Sequence, residues 1–187
     1  MLRGLIALAF ITLGLLLMRT VHFRWEPAEQ PDAIRRHAMQ HDLVIPIAGV
    51  RAGALVDTYT QARESGLRPH DAIDILAPLG TPVITAARGR IEKIFISERG
   101  GKTIYQRSVD GKRVYYYAHL DVYRPGLREG MTVNAGTYIA TVGATGNADP
   151  TTPHLHFAIN RMAPGERWYE GTPVNPYPLL ARSRVKR

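Results

Sequence analysis

The chain contains no cysteine among its 187 residues. This absence excludes both a disulfide framework and a zinc site built on cysteine. Acidic residues are also fewer than basic ones. The chain has 16 Asp and Glu against 24 Lys and Arg, which gives a formal net charge of +8. Such a surface favours polyanions in general, among them nucleic acid, anionic lipid and acidic polymers. No nucleic-acid recognition motif accompanies the charge, so we expect no nucleic-acid partner.

Long hydrophobic runs are scarce. The N-terminal apolar run covers only residues 4–18, between Arg3 and Arg19, whereas a membrane-spanning helix needs about 20 apolar residues. Its length and basic flanks are those of a signal sequence, and no small-x-small cleavage site follows it. We predict an uncleaved signal anchor, a hydrophobic transmembrane helix over residues 1–25. A cleaved signal peptide and a buried core helix are the alternatives.

The segments on either side of the central region are polar. Residues 26–45 begin with a polar stretch that holds two prolines, and we interpret this range as a spacer between the membrane and a folded domain. His37 and His41 stand there at helical spacing, which a solvated helix face explains better than a metal pair. Residues 181–187 form a basic tail, interpreted as a solvated terminus. The domain itself is expected over residues 46–180.

Residues 46–180 consist of short apolar stretches separated by Gly, Pro and Asp. The stretches are rich in Ile, Val, Thr and Tyr, and they read AIDILAP, GTPVITAA, GRIEKIFIS, KTIYQRS, RVYYYAHL, TYIATVG and HLHFAIN. Asp110-Gly111 is the clearest hairpin signal, and residues 57–66 are the best candidate for a short helix or loop. We predict a mostly β fold, a single antiparallel β-sheet domain of sandwich or open-barrel type.

Two histidines stand two residues apart in the stretch HLHFAI. Alternate residues of a strand point to the same face, so His154 and His156 are expected to project into one site while Leu155 and Phe157 enter the core. Two imidazoles side by side suit a metal ion, or one metal ligand beside an acid-base group. The alternative is that both histidines simply lie on a solvent-exposed face of the strand, without a functional role.

Further candidate ligands occur in RPHDAIDI and YYYAHL. His70 and Asp74 are separated by an even offset, so an extended segment aims both side chains the same way, whereas Asp71 has the opposite parity. Imidazole nitrogens and a carboxylate oxygen suit Zn²⁺. His119 ends the aromatic strand, where a lone histidine is usually structural. Without cysteine, three N/O ligands and a water make the arrangement of a catalytic zinc, whose bound water has a pKa of roughly 7.

Four stretches together resemble the lysostaphin-type (LytM-like) zinc metallopeptidases that cut peptidoglycan peptides. They are HDAIDILAPLGTPVITAARGRI, YYYAHL, GMTVNAGTYIATVGATGNA and PHLHFAI. The resemblance covers about residues 56–180, and its His-x-x-x-Asp, Ala-His-Leu and His-x-His motifs occur in the order of the family. It implies a zinc metalloendopeptidase that hydrolyses peptide bonds in peptidoglycan cross-links or stem peptides. With the anchor, this enzyme would be membrane-bound in the cell envelope, outside the cytoplasm.

The resemblance also implies roles for five residues. His70, Asp74 and His156 would hold one Zn²⁺ per chain. His154 would orient or deprotonate the attacking water, and His119 would stabilise the oxyanion that develops on the scissile carbonyl. The implied partners are a peptidoglycan peptide as substrate and the membrane through the N-terminal segment, with any regulatory protein unidentified.

Some residues depart from the family pattern or call for their own explanation. Ala72 stands where relatives often have glycine, and Lys102 stands where they often have asparagine. Gly143 and Gly146 precede the His-x-His strand, and we predict a loop there that lets a peptide backbone approach closely. Of the three consecutive tyrosines at residues 115–117, alternation allows only one or two to line the groove.

Two other functions are compatible with parts of the pattern. The first is a non-enzymatic cell-wall-binding or amidase-activating module on the same fold, against which the complete set of five residues argues. The second is a cupin-like metal oxygenase, which also uses His-x-His on strands. Cupins need a glutamate a few residues later and then another histidine, but here the next acidic residue after His156 is Glu166 and no histidine follows.

Overall fold

The computed structural model describes residues 43–63 and 68–182. Their regular structure is almost entirely β. The strands are β1 Ala62–Arg63, β2 Arg68–Pro69, β3 Ile73–Leu76, β4 Pro82–Ile84, β5 Gly89–Ser97, β6 Gly101–Ser108, β7 Arg113–Tyr123, β8 Thr132–Val133, β9 Tyr138–Val142, β10 His154–Arg161 and β11 Thr172–Val174. Besides these there are a 3₁₀ turn at Ala52–Ala54 and a short helix, α1, at Tyr177–Ala181.

Nine strands form one antiparallel sheet. Its main order is β11-β10-β7-β6-β5-β8, with β3 paired to β10, β9 paired to β7, and β4 paired to β9. The two shortest N-terminal strands, β1 and β2, pair separately. All seven apolar stretches of the sequence contribute a strand, and the hairpin predicted at Asp110-Gly111 joins β6 to β7. The expected mostly β, antiparallel sheet is therefore confirmed.

The alternation of side chains along β7 and β10 separates the core from the opposite face of the sheet. Tyr115 and Tyr117 of β7 and Phe157 of β10 are almost completely buried. Burial of side chains of this size contributes about 1.5–3 kcal/mol each. The hydroxyl of Tyr117 donates to Oε1 of Gln106 at 2.6 Å and accepts from the N–H of Ala86 at 2.8 Å, so its burial leaves no unpaired polar atom on that side chain.

The folded part begins earlier than residue 46. Leu43 and Ile45 lie in the range expected for the spacer, yet each is only 6% exposed and packs in the core. The N–H of Val44 between them donates to the carbonyl of Ala86 at 2.8 Å. Within residues 43–63 and 68–182, this apolar-x-apolar pair is the first to pack into the core.

Several predictions concern residues outside the described ranges. This group comprises the signal anchor at residues 1–25, His37, His41 and residues 183–187 of the basic tail. The predicted division into segments stays a prediction. Within the described residues, no helix combines the length and apolarity that crossing a bilayer requires. Residues 57–63 contain no helix and lead into β1.

Candidate metal centre

Three side chains that are able to hold a metal ion converge between β3 and β10. Nε2 of His70 lies 3.0 Å from Nδ1 of His156, and Oδ1 of Asp74 lies 3.1 Å from each of these nitrogens. Ligand atoms around a tetrahedral ion with bonds of about 2.0–2.1 Å are separated by roughly 3.3 Å. Two imidazole nitrogens and a carboxylate oxygen at these distances therefore fit a divalent metal ion.

Antiparallel pairing places His156 directly beside its metal-binding partner. His156 stands opposite Asp74 in β3 and opposite Ala118 in β7. Its neighbours Leu155 and Phe157 are fully buried on the other face, while His154 and His156 line a cleft. The two histidines of β10 thus share one site, as the alternation predicts.

His70 reaches the site from a turn rather than from a strand. It lies between β2 and β3, where Asp71 adopts a positive φ of 56°. The even spacing of His70 and Asp74 correctly predicts that their side chains meet. The chain between them, however, is bent at Asp71 instead of continuously extended.

A single residue, Thr58, holds both sides of this turn. Nδ1–H of His70 donates to the carbonyl oxygen of Thr58 at 2.8 Å, which leaves Nε2 with its lone pair facing the other ligands. The N–H of Asp74 donates to Oγ1 of the same threonine at 2.9 Å. Thr58 is only 9% exposed. Partners of this kind fix the tautomer and orientation of a metal ligand.

Sequence reasoning did not identify Thr58. It lies in the segment predicted to be a short helix or loop, twelve residues before His70. Its backbone carbonyl is one of the two acceptors, and a carbonyl carries no sequence signal. The segment is also tied to the C-terminal region, because Asn175 donates to the carboxylate of Asp57 at 3.1 Å.

A β-bulge turns His119 towards the cleft. Leu120 pairs with Lys102 and Tyr117 pairs with Ile104, so β7 has one more residue than β6 between these pairs. Such an extra residue bends a strand and re-aims a side chain, often beside an active site. His119 therefore lies inside β7, whereas the sequence predicts it at the end of this strand.

The backbone of His119 is held in a sparsely populated conformation, with φ of 58°. Its N–H donates to the carbonyl of Gly100 at 2.8 Å. The ring lies 5.0 Å from that of His154 and 5.5 Å from that of His156, measured between centroids. The structure thus brings all five predicted site residues together.

His119 and His154 are oriented in the same way. Nδ1–H of His119 donates to the carbonyl of Thr145, and Nδ1–H of His154 donates to the carbonyl of Thr152, each at 2.8 Å. A carbonyl only accepts, so Nδ1 carries the proton in both rings. Nε2 of each neutral ring is then a proton acceptor, and that of His154 lies 3.8 Å from Oδ1 of Asp74.

The electrostatics of the site favour a cation between its ligands. Burial of the Asp74 carboxyl opposes its ionisation, but the adjacent rings of His156 and His70 outweigh this effect and hold the pKa of Asp74 well below its usual range. Burial lowers the pKa of His119 to about 4, although its hydrogen bond to Thr145 acts in the opposite direction. The ring of His119 is therefore neutral near pH 7 in the metal-free protein.

The five residues line an open cleft of about 790 Å³. Ser97 and Arg99 form part of its wall, and the loop that precedes β10 contributes Asn147 and Asp149. Tyr116 lines the cleft, whereas its neighbours in β7 are buried in the core. One of the three consecutive tyrosines therefore reaches the groove, within the limit set by alternation.

The glycines before β10 serve contacts within the chain. A Cβ on Gly143 would lie 2.6 Å from the carbonyl oxygen of His119, and one on Gly146, where φ is +75°, would clash with the carbonyl of Arg99. Both glycines thus let the loop pack against β7 and the β5–β6 connection. Close approach is the reason for these glycines, as predicted, but the approaching backbone belongs to the protein itself.

The two departures from the family pattern have simple consequences. Ala72 is completely buried, and the positive φ of this turn falls on Asp71 instead. Lys102 extends its ammonium group to the carbonyl of Asp121, and it is not among the residues that line the cleft within the described parts of the chain. Neither substitution removes a ligand or fills the cleft.

Residues 68–176 match peptidase family M23. The L-Ala–D-Glu endopeptidase of Bacillus subtilis (strain 168) is 32% identical over 120 residues, which are 62% of this chain and 35% of that protein. The peptidoglycan DD-endopeptidase ShyC of Vibrio cholerae is 33% identical over 106 residues, or 56% of this chain and 23% of that protein. The catalytic domain of the antimicrobial peptidase lysostaphin from Staphylococcus simulans has a TM-score of 0.55 at 26% identity and covers 78% of this chain and 96% of that chain.

Replacing Thr58 with valine tests its support of the metal ligands. The change removes the hydroxyl that accepts from Asp74 and keeps the carbonyl that accepts from His70. We expect the dissociation constant for Zn²⁺ to rise roughly tenfold, since groups behind metal ligands typically contribute 10–100-fold to affinity. Competition with a chromophoric chelator measures this constant. Thr58→Ser keeps the hydroxyl and should bind like the wild type; equal affinities for all three proteins would contradict the assignment.

Proposed function

The chain belongs to peptidase family M23, and on that premise we propose that it is a zinc metalloendopeptidase that hydrolyses peptide bonds in peptidoglycan cross-links or stem peptides. The observation that carries the proposal is the triangle of His70, Asp74 and His156, with two further histidines in the same cleft. The matched relatives are named for endopeptidase activity. Because the chain spans about a third or less of their lengths, substrate and activity are proposals for this protein.

The donor set supports zinc as the metal. A site of imidazole nitrogens and one carboxylate oxygen, with a cleft open to solvent on one side, is typical of catalytic rather than structural zinc. A zinc ion bound there would polarise a substrate carbonyl and lower the pKa of a bound water to about 7. The matched family consists of peptidases, so this chemistry fits hydrolysis of a peptide bond.

His154 is suited to act as the general base. Its Nδ1 is tethered to the carbonyl of Thr152, and its Nε2 is directed at the metal ligands, 3.8 Å from Oδ1 of Asp74. A water between Nε2 and the carboxylate side of the site would transfer its proton to this nitrogen. The same nitrogen can then return the proton to the amine that leaves.

His119, on the strand β7 that pairs with β10, is suited to stabilise negative charge. Its Nδ1 donates to the carbonyl of Thr145, so Nε2 becomes a donor only when the ring takes up a second proton from solvent. Negative charge that develops on the scissile carbonyl oxygen favours this protonated ring. The neighbouring ring of His154, 5.0 Å away between centroids, allows the two histidines to serve one reacting group.

Purified peptidoglycan provides the direct test of the function. We expect the zinc-loaded full chain to release soluble fragments with new peptide amino termini, and a chelator to abolish the release. Mass spectrometry of the fragments identifies the bond that is cut. A folded, zinc-loaded protein that releases no fragments but stimulates another wall hydrolase would favour the non-enzymatic module instead.

Substitution of single residues separates metal binding from proton transfer. His70→Ala and His156→Ala should lose bound zinc and activity together, because each removes a ligand. His154→Ala should keep one zinc per chain and lose at least about 100-fold in kcat, which is the scale of general acid-base catalysis. Metal analysis and fragment release on the same preparations measure both effects. Full hydrolysis by His154→Ala would refute its role.

The location of the protein is a separate proposal. The apolar run near the N-terminus and its basic flanks support an anchor in the cytoplasmic membrane, with the catalytic domain in the envelope where peptidoglycan lies. Fractionation of cells that produce the full chain should place it in the membrane fraction, and protease added outside the cytoplasmic membrane should digest the domain. A protein found in the cytosolic fraction would contradict this proposal.

A further inference from the structure

A row of aromatic rings leads away from the metal ligands across the sheet. The ring of Tyr116 lies 5.9 Å from that of His156, Tyr105 lies 4.5 Å from Tyr116, and Trp168 lies 4.5 Å from Tyr105. Phe95 is the last ring, 5.7 Å from Trp168. Because Tyr116 itself lines the cleft, the row is continuous with the proposed active site. We refer to Tyr116, Tyr105, Trp168 and Phe95 as the aromatic row.

Strand register explains why these rings lie together. Tyr105 of β6 is the direct partner of Tyr116 of β7, and Phe95 extends the row into β5. Trp168 comes from the connection between β10 and β11 and lies against both Tyr105 and Phe95. The row therefore crosses adjacent strands on the face of the sheet opposite to the core.

The aromatic row remains partly open to solvent. Phe95 is 42% exposed, and Tyr169, whose ring lies 5.0 Å from that of Trp168, is 52% exposed. Tyr105, Tyr116 and Trp168 are half-buried. Arg167 adds a polar edge, since its guanidinium donates to the hydroxyl of Tyr169 at 2.7 Å. The result is an apolar surface with hydroxyl and guanidinium groups at its border.

The backbone beneath the aromatic row is already paired. The N–H and carbonyl groups of β5, β6 and β7 are used in the ladders between these strands. A peptide that binds by strand addition needs main-chain partners at a sheet edge, and the paired ladders leave none beneath the row. A pyranose ring, with apolar C–H faces and a rim of hydroxyls, matches flat aromatic surfaces with polar borders.

We propose that the aromatic row binds sugar rings of the peptidoglycan glycan strand while the attached peptide enters the metal cleft. The inference rests on the proposed function, because it assigns a second part of the same polymer to a surface continuous with the cleft. It assigns the row a role in holding the polymer, separate from the chemistry at the metal ligands. The glycan would then position the peptide for hydrolysis.

Sugar binding is measured without any cleavage. The chain has only two tryptophans, Trp25 and Trp168, so the full-length Trp25→Phe variant reports on Trp168 alone. Titration with peptide-free glycan strands should change its fluorescence and saturate. Tyr105→Ala in the same background should weaken binding by roughly three- to tenfold, the effect expected for loss of one stacked ring. Val109→Ala, an exposed apolar truncation in the turn after β6, is the control and should bind normally.

Hydrolysis by Trp168→Ala then links the aromatic row to the substrate. We expect slower release from intact peptidoglycan, with unchanged zinc content and unchanged hydrolysis of a sugar-free cross-linked peptide. Equal losses on both substrates would show that Trp168 only supports the fold, and would overturn the proposal. Trp168→Phe, which keeps a ring, should recover most of the loss.

The outcomes distinguish this inference from the proposed function. If the wild type cleaves neither substrate but binds peptide-free glycan through the aromatic row, the peptidase proposal is refuted and glycan binding by the row is supported. If the wild type cleaves both substrates and glycan does not change the fluorescence of Trp168, glycan binding by the row is refuted and the peptidase proposal is supported. Tighter binding of the free peptide than of glycan at Trp168 would also overturn the assignment.

Discussion

The pairing of β10 with β3 on one side and with β7 on the other is the constraint on which the site depends. It sets His156 opposite Asp74 and next to the bulge that carries His119. A shift of one residue in either register would turn both β10 histidines into the core and Leu155 and Phe157 out of it. Burial of those two side chains therefore fixes the positions of His154 and His156.

Backbone strain is concentrated where this site is built. Within the described residues, the only non-glycine residues with positive φ are Asp71 and His119, one beside a metal ligand and the other a proposed catalytic residue. Such conformations cost about 1–3 kcal/mol each and persist only when the surroundings impose them. Here backbone hydrogen bonds impose the conformation. The N–H of Asp71 donates to the carbonyl of Tyr59 at 3.2 Å, and the N–H of His119 donates to the carbonyl of Gly100 at 2.8 Å.

Carbonyl oxygens orient three of the four histidines of the cleft. Those of Thr58, Thr145 and Thr152 accept from Nδ1 of His70, His119 and His154. In each ring Nε2 is thereby left as an acceptor, and a site made of acceptors attracts a cation or a proton. A metal ion would satisfy His70, Asp74 and His156 together, which leaves His154 for the proposed proton transfer and His119 for the proposed stabilisation of negative charge.

The sequence alone identified the five residues that meet in the cleft and most of the strands around them. Period-two alternation predicted the common face of His154 and His156, and turn residues delimited the strands, because both signals depend on local backbone geometry. The bulge at His119, the turn at Asp71, the support from Thr58 and the aromatic row were decided by the tertiary structure alone. Each of these depends on contacts between residues far apart in the chain, or on backbone carbonyls, for which no residue type is a signal.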